Sequence, residues 1–430
     1  MRKEHQKQEH TGSYYAASVT ETTDYPALEG AKGADVCIVG AGFTGVATAL
    51  TLAERGYSVA LVEANRIGWG ASGRNGGQLI HGISGLEKIR KKHGEGISDM
   101  LWDIKWRGND IIRERVEKYD IQCDLKDGFA EVATKPGQCE WFAEFVADRE
   151  RHNAPKTWEI WDREQTRELL GTDAFHGTFV CYRDGHLHPL NLCIGEARAA
   201  HNLGAQIFEQ SPVTGIDHGA RPKVKTPNGY VEADAVVLAG NAYNQLEPKH
   251  LANLVFPAGS YIIATEPLTD DVVASINPKD VAICDLNEVV DYYRLSADKR
   301  LLYGGACNYS GRDPASVKDY ILPRMLKVYP QLQDVRIDYE WGGKIGIVLN
   351  RVPTVGRINN NVYYCQGYSG HGVCPTHVMG EVMADAVAGT MERYDLFADM
   401  KHFRIPGTQW VGNQIIALGM LFYKLKDKLV

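Results

Sequence analysis

An apolar run, Val36-Cys37-Ile38-Val39, ends in Gly40-Ala41-Gly42-Phe43-Thr44-Gly45, and no other junction in the chain limits its fold so strongly. Helical spacing follows through Leu50, Leu52 and Ala53 and stops at Arg55-Gly56. A second apolar run, Val59, Leu61 and Val62, then ends at Glu63 and Ala64. Strand, glycine turn, helix and strand with a terminal acid make the phosphate-gripping half of a dinucleotide fold. Gly40 permits the tight turn, Gly42 lets the backbone approach a pyrophosphate, and Gly45 lets helix and strand pack closely. The helix start offers unpaired N–H groups to an anion. Glu63 stands eighteen residues beyond Gly45, where a carboxylate accepts hydrogen bonds from ribose hydroxyls and repels a 2′-phosphate.

The next segment separates a flavin site from a nicotinamide site. In Gly68-Trp69-Gly70-Ala71-Ser72-Gly73-Arg74-Asn75-Gly76-Gly77-Gln78, six of eleven residues are glycine or alanine, so backbone can wrap a ligand. Ser72, Arg74, Asn75 and Gln78 supply donors. A loop one strand beyond the first glycine turn lies where an extended dinucleotide continues toward its ribityl chain and ring system. A flexible surface loop is the alternative for this segment taken alone.

Apolar residues make up 44% and charged residues 23%, ordinary values for a globular protein of one large or two medium domains. A formal charge of −7 argues against nucleic-acid binding. The nine cysteines are scattered with no C-x-x-C pair, which suits reduced thiols in a cytoplasmic protein. Met1 to His10 is charged and lacks a signal peptide's apolar run, and no stretch approaches a transmembrane length. The C-terminal segment with Ile415, Ile416, Leu418, Met420, Leu421, Phe422 and Leu425, followed by Lys424, Lys426 and Lys428, reads as an amphipathic helix. It either docks on its own body or lies on a membrane surface.

The pattern predicts an α/β chain in which a Rossmann-like dinucleotide-binding domain interleaves with an antiparallel-sheet substrate domain. Residues 1–33 form an N-terminal arm. Residues 34–118, 185–250 and 345–400 build the dinucleotide domain, 119–184 and 251–344 the substrate domain, and 401–430 a tail helix. Helical spacing covers 86–118 and the region of Trp141, Phe142, Phe145 and Val146. The second dinucleotide half opens at His188-Pro189-Leu190-Asn191, continues through Gln206-Ile207-Phe208 and Val213, and ends in the buried strand Ala235 to Ala239. Gly240-Asn241-Ala242-Tyr243 there makes another close-approach turn. Tyr261-Ile262-Ile263-Ala264, Tyr292-Tyr293-Arg294-Leu295 and Leu301-Leu302-Tyr303-Gly304 alternate as an antiparallel roof. Val362-Tyr363-Tyr364-Cys365 resumes the strand pattern. Gly367-Tyr368-Ser369-Gly370-His371-Gly372-Val373 then leads into a helix whose start could stabilise charge at a reduced flavin's N1–C2=O edge.

These residues together resemble the D-amino-acid-oxidase-like (DAO) family of flavoproteins, over nearly the whole chain. The likeness is carried by Ser13-Tyr14-Tyr15-Ala16-Ala17-Ser18, by Ile67 to Gln78 and by Tyr261-Ile262-Ile263-Ala264-Thr265-Glu266-Pro267. Gly342-Gly343-Lys344-Ile345-Gly346 and Gln366 to Val373 also match. The resemblance implies extended FAD, with Gly40, Gly42, Phe43, Thr44 and Gly45 at the pyrophosphate, and Glu63 and Ala64 at the adenosine ribose. It puts Ala71, Ser72, Asn75, Gly76, Gly77 and Gln78 along the ribityl and isoalloxazine, Val213 on the adenine side, and Gly370, His371, Gly372 and Val373 at the pyrimidine edge, with Arg74 and Gly240 also cofactor-binding. Some family members bind flavin through a cysteine in the region corresponding to Ile345–Pro353. None occurs there, so FAD is expected to be non-covalent, with Cys365 and Cys374 the nearest thiols.

The family chemistry implies removal of hydride from the carbon beside an amine, giving an imine, then an aldehyde and ammonia, with O2 reduced to H2O2. The substrate implied is gamma-glutamylputrescine or a related gamma-glutamylated or N-substituted amine. Tyr261, Tyr293, Lys344 and His371 are the catalytic candidates, and Tyr292, Arg294 and Arg351 the substrate-binding ones. Tyrosines in such a sheet also serve as packing, the basic residues as solvated surface, and His371 as a helix cap. His186 and His188 with Asp184 mimic metal-ligand spacing, but their position before a helix favours a structural turn, so no metal is expected. The alternatives are a sarcosine- or glycine-type oxidase, an amine dehydrogenase with another acceptor, a non-catalytic flavin-binding module, and a nicotinamide dehydrogenase. The second glycine-rich loop disfavours the last. The sequence leaves oligomeric state open.

Overall fold

A computed structural model describes residues 8–429, so Met1 to Lys7 and the side chains from Leu421 onward, including the tail lysines, lie outside the description. Its frame is two sheets. The first runs Thr354–Ile358, Val362–Gln366, Gly229–Leu238, Gly30–Val39, Val59–Val62 and Gln206–Phe208, with the hairpin Gly215–Asp217 and Lys223–Lys225 attached to Gly229–Leu238. Its four central pairings are parallel: Gly30–Val39 lies between Val59–Val62 and Gly229–Leu238, with Ile38 opposite both Leu61 and Val237. Buried parallel strands need apolar side chains on both faces, which explains the unbroken runs ending at Val39, Val62 and Leu238. The helices Phe43–Glu54, Pro189–Asn202 and Val373–Val387 cover one face with a core that includes Val46, Leu50, Ile194 and Val382. The hairpin side holds a smaller cluster around Val224, Val231 and Leu254.

The second sheet has nine strands, including Ile337–Ile347, Phe256–Thr265, Leu301–Asn308, Asp291–Leu295, Ala282–Asp285, Lys126–Val132, Thr178–His186 and Gln78–Leu79. It is antiparallel except where Ala282–Asp285 runs parallel to Lys126–Val132. Helix Val317–Val328 packs behind it against a second core that includes Tyr261, Tyr293, Tyr303 and Tyr329. Two strands cross the boundaries drawn from sequence. Gln78–Leu79, directly after the glycine-rich loop, pairs with Thr178–His186, and Ile337–Ile347 runs through the 344/345 division. Local pattern marks where a strand lies, but its sheet is chosen by long-range pairing.

The helical region 86–118 is split: Leu86–His93 ends at Gly94, whose φ of +86° breaks the spiral before Ser98–Lys118. The first strand starts at Gly30, inside the segment read as an arm, because residues 30–34 pair with 229–233. Tyr14 and Tyr15, in the short helix Tyr14–Ala17, are buried between His188, Tyr339 and Trp341. In the C-terminal helix Gln409–Leu429, Ile416 and Met420 pack on Phe256 and Ile347, whereas Trp410, Ile415 and Leu418 are exposed. Among the described residues, no helix is long and apolar enough to cross a membrane.

Candidate active site

The strand Gly30–Val39 delivers its chain into a turn that only glycine can make. Gly40 has φ +102°, and a Cβ on Gly45 would sit 1.8 Å from the Gly40 carbonyl oxygen, so the helix Phe43–Glu54 begins in contact with the turn. That helix has no side-chain cap of its own. Ser72 reaches across from the second loop to accept from the Phe43 N–H at 2.9 Å, and Gly68 N–H donates to Ala41 at 2.9 Å. The two glycine loops are thereby one unit. Glu63, at the end of Val59–Val62, accepts from the Ala41 N–H (2.7 Å) and the Asn65 N–H (2.8 Å). Burial raises its pKa, and these donors pull against the rise.

Asn75 shapes the second loop from inside, donating to Ala71 and Ser72 carbonyls and accepting from Gly77 N–H at 2.8 Å. Gly77 has φ +70°, and a Cβ there would lie 2.1 Å from the Leu187 oxygen. Arg74 lies over Trp69 and donates to Trp69 and Gly342 carbonyls. Gln78 donates to the Ile283 carbonyl at 2.8 Å, tying the loop to the second sheet.

A cleft of ≈ 1360 Å³ follows this unit. Its walls include Gly40, Gly42, Phe43, Thr44, Glu63 and Ala64, then Ala71, Ser72 and Asn75, then Val213 and Gly240, and finally Gly370, Gly372 and Val373. A second cavity of ≈ 1240 Å³ adds Arg74, Gly76, Gln78, His371, Tyr292 and Arg351. Ala71, Asn75, Ile345, Gly370, Gly372 and Val373 line both, so the two are lobes of one groove between the sheets. Gly45 and Gly77 line neither lobe; they hold the turns in place. The start of Val373–Val387 also lacks a side-chain cap of its own, so two helix N-termini open on the groove, the first with only the Ser72 hydroxyl in front of it. A long, doubly anionic, partly apolar ligand such as FAD fits this arrangement of backbone donors, small residues and one carboxylate, Glu63, in the wall.

Strand alternation sorts the remaining candidates, since successive side chains point to opposite faces. Ser260, Tyr292, Gly343 and Ile345 face the groove; Tyr261, Tyr293 and Lys344 face away from it. Tyr261 donates to Asp313 at 2.8 Å, and Lys344 pairs with the same carboxylate. Tyr293 stacks on Tyr303 with ring centroids 5.0 Å apart in the second core. Arg294 shares the face of Tyr292 but is buried beneath the loop. Its guanidinium donates to the Gly76 carbonyl (2.8 Å), the Leu295 carbonyl (2.9 Å) and the Tyr15 hydroxyl (3.3 Å). The structure therefore does not bring Tyr261, Tyr293, Lys344 or Arg294 to the groove as substrate-contacting groups.

His371 does line the groove. Its Nε2 donates to the Ile80 carbonyl at 3.2 Å, and burial lowers its pKa. Tyr292 lies across Gly76 and Gly304, where either Cβ would overlap its ring, and its hydroxyl bonds Ser260 at 3.0 Å. Arg351 occupies a left-handed conformation (φ +63°). His188 accepts from Asn191 N–H as an N-cap, His186 bonds the Asp280 carbonyl, and Asp184 binds His81 and Asn109, so these three residues have separate partners. Asp184 is, with His81 and Cys181, within one group of possible ligand atoms. There its oxygens already accept from His81 N–H, the His81 ring and Asn109. Cys365 and Cys374 are buried off the groove, whereas Cys284 and Cys307 line its second lobe.

Sequence reasoning missed Trp69, Tyr243 and Tyr368 as walls of the first lobe, and Glu288, Val289 and Tyr309 as walls of the second. Tyr368 sat inside the recognised glycine segment and Tyr243 inside the recognised turn. Glu288 and Val289 lie in a connection with no pattern to mark them.

Fold and groove together define a flavin-dependent oxidoreductase, and the chain belongs to the DAO family, FAD dependent oxidoreductase, whose family model matches residues 35–386. FAD is its cofactor. The chain is 42% identical over 424 residues to the gamma-glutamylputrescine oxidoreductase of Escherichia coli (strain K12), covering 98% of this chain and 99% of that one. It is 40% identical over 430 residues to the probable oxidoreductase OrdL of Haemophilus influenzae, at 98% of both chains. Among solved structures it resembles glycine oxidase from Geobacillus kaustophilus, with a TM-score of 0.70, 21% identity and coverage of 87% of this chain and 100% of that one. L-proline dehydrogenase from P. horikoshii gives 0.68 at 20% identity, covering 84% and 94%. The structural likenesses establish the fold.

Proposed function

We propose that this enzyme oxidises the carbon beside an amine nitrogen in gamma-glutamylputrescine or a close gamma-glutamylated amine, with O2 as electron acceptor. Bound FAD supplies the hydride acceptor, so that amine, water and O2 become aldehyde, ammonia and H2O2. The observation that carries this reading is the second lobe of the groove. Its ≈ 1240 Å³ is lined by the start of Val373–Val387, by Tyr292 and by Arg351, so it offers room for an amine and a cation suited to a carboxylate. The E. coli relative's name supports the same substrate class.

In this reading the residues hold and desolvate rather than shuttle protons. Tyr292 and Ile345 exclude water around the reacting carbon, which favours the neutral amine needed for hydride loss. His371, neutral because it is buried, donates to Ile80 and fixes the Gly370–Gly372 turn. Gly40, Gly42, Phe43, Thr44, Glu63, Ala64, Ala71, Ser72, Arg74, Asn75, Gly76, Gln78, Val213, Gly240 and Gly370 to Val373 form the FAD cradle, with Gly45 and Gly77 holding its turns. FAD is held non-covalently in this reading, because the stretch Ile345–Pro353 carries no cysteine and the nearest thiols, Cys365 and Cys374, lie off the groove. None of the nine cysteines is in a disulfide, which fits a cytoplasmic enzyme.

Candidate amines added anaerobically to the yellow protein test the reading. Bleaching by gamma-glutamylputrescine, reversed by air with formation of H2O2, is the expected result. Bleaching by sarcosine or glycine alone would replace it with the smaller-substrate oxidase, and bleaching that air does not reverse would replace O2 with another acceptor.

A further inference from the structure

The second lobe contains an acid that nothing in the chain uses. Glu288, in the connection between Ala282–Asp285 and Asp291–Leu295, lines the cavity, is exposed, and has no hydrogen-bond or ion-pair partner among the described residues. Arg351 lines the same cavity. Its guanidinium donates to the Ser369 carbonyl at 3.4 Å and lies against the Tyr309 hydroxyl, and among the described residues no carboxylate lies within ion-pairing distance of it. Most other arginines of this chain pair with an acid. Two opposite charges thus share one cavity without pairing with each other.

The backbone adds a second sign. Arg351 (φ +63°) and Ser369 (φ +56°), which contact one another, both occupy the left-handed region. Such conformations are costly for residues with a side chain and persist at ligand clamps. The same cavity has an apolar wall from Val289, Val290, Tyr292 and Tyr309. The Tyr309 hydroxyl is pushed up to about 12 by burial, with Arg351 pulling against that rise, which keeps a neutral phenol beside the guanidinium.

We infer that the second lobe is a receptor for a zwitterionic α-amino-acid head, Arg351 taking its α-carboxylate and Glu288 its α-ammonium, while the aliphatic chain lies along the apolar wall of the same cavity. This rests on the proposed function and narrows it. The enzyme selects amines that carry a free α-amino acid at the end remote from the oxidised carbon. A carboxylate alone satisfies Arg351 but leaves Glu288 facing an apolar tail, and a free diamine leaves Arg351 unmatched.

The test compares gamma-glutamylputrescine with glutarylputrescine, which keeps chain and carboxylate but lacks the α-amine. For the FAD-loaded wild type, kcat/KM should favour the gamma-glutamyl compound by roughly tenfold, the scale of a charge-assisted hydrogen bond in a partly desolvated site. Glu288→Gln should collapse that ratio toward one through KM, and Glu288→Lys should invert it. Arg351→Met should raise KM for both compounds together. Glu288 is exposed and makes no hydrogen bond or ion pair among the described residues, so both of its variants should melt with the wild type. A wild type without preference, or a Glu288→Gln enzyme that keeps it, overturns the inference and leaves the proposed activity standing. A wild type that turns over neither compound while oxidising sarcosine overturns the proposed activity and this inference with it.

Discussion

Arg294 offers the sharpest division between a residue that touches substrate and one that holds the site. Replacing it with Met removes the donors to Gly76, Leu295 and Tyr15, at 2.8, 2.9 and 3.3 Å, from a residue only 2% exposed. Bonds from a charged donor contribute about 1.5–3 kcal/mol each, and a buried carbonyl left without a donor costs about 1–3 kcal/mol. Against this stands relief from keeping a guanidinium buried with no carboxylate beside it, so the net loss should be about 3 kcal/mol. With an unfolding entropy of about 2.1 cal/mol/K per residue, 430 residues give about 0.9 kcal/mol/K, and the melting temperature should fall by roughly 3 °C. The Gly76 carbonyl is freed at the same time, so the loop loosens and FAD affinity should fall by about tenfold, on the order of one lost bond. Thermal melts with and without added FAD, flavin titration of the apoprotein and steady-state kinetics read these effects separately. Arg294→Lys, which keeps one donor and the charge, should fall between. If melting and FAD affinity are unchanged while substrate KM rises, Arg294 binds substrate and the argument from its hydrogen bonds is wrong.

Three further outcomes follow from particular contacts. Gly45→Ala would put a Cβ 1.8 Å from the Gly40 oxygen, a backbone atom with nowhere to go. Overpacking of about 1–3 kcal/mol at the pyrophosphate turn should leave protein purified with far less than one flavin, read from flavin absorbance per chain. Glu196→Gln breaks a buried network in which Glu196 meets Arg115 at 2.9 Å and His377 at 3.1 Å, joining three helices; a loss of about 3–5 kcal/mol is expected in denaturant melts. Burial would raise the Glu196 pKa, but His377 and Arg115 hold it below the usual value. Its stabilising contribution is therefore present above about pH 4.5 and lost as pH falls through the lower folded pKa, and the variant's stability should be flatter there. Asp285 behaves oppositely: burial and then Asp291 raise it to about 7, so the stability linked to its neutral form is present below about pH 4 and lost as pH rises through 7. The stability gap between Asp285→Asn and wild type should move in the variant's favour across that window; a gap constant from pH 4 to 8 would count against it.

What the sequence alone determined was local and periodic. The glycines at 40, 42 and 45 are legible because a strand-to-helix turn at van der Waals contact admits no Cβ, and the apolar runs before and after them can be buried only as parallel strands. His188 was legible as a turn residue because it stands immediately before a proline at a helix start, and it caps that helix. Residue types in the roof were equally plain, but their direction was not. Tyr292 and Tyr293 are neighbours in sequence and belong to opposite faces, and only the pairing of Asp291–Leu295 with Leu301–Asn308 decides which one meets the groove. Tertiary structure also decided that Arg294 is consumed by the Gly76 carbonyl, that Lys344 turns to Asp313, and that Glu288 comes to face the same cavity as Arg351. Steric and hydrophobic rules act over a few residues and so can be read along the chain. A charge acquires its role from whatever the fold leaves unpaired beside it, and that is settled by contacts between distant segments.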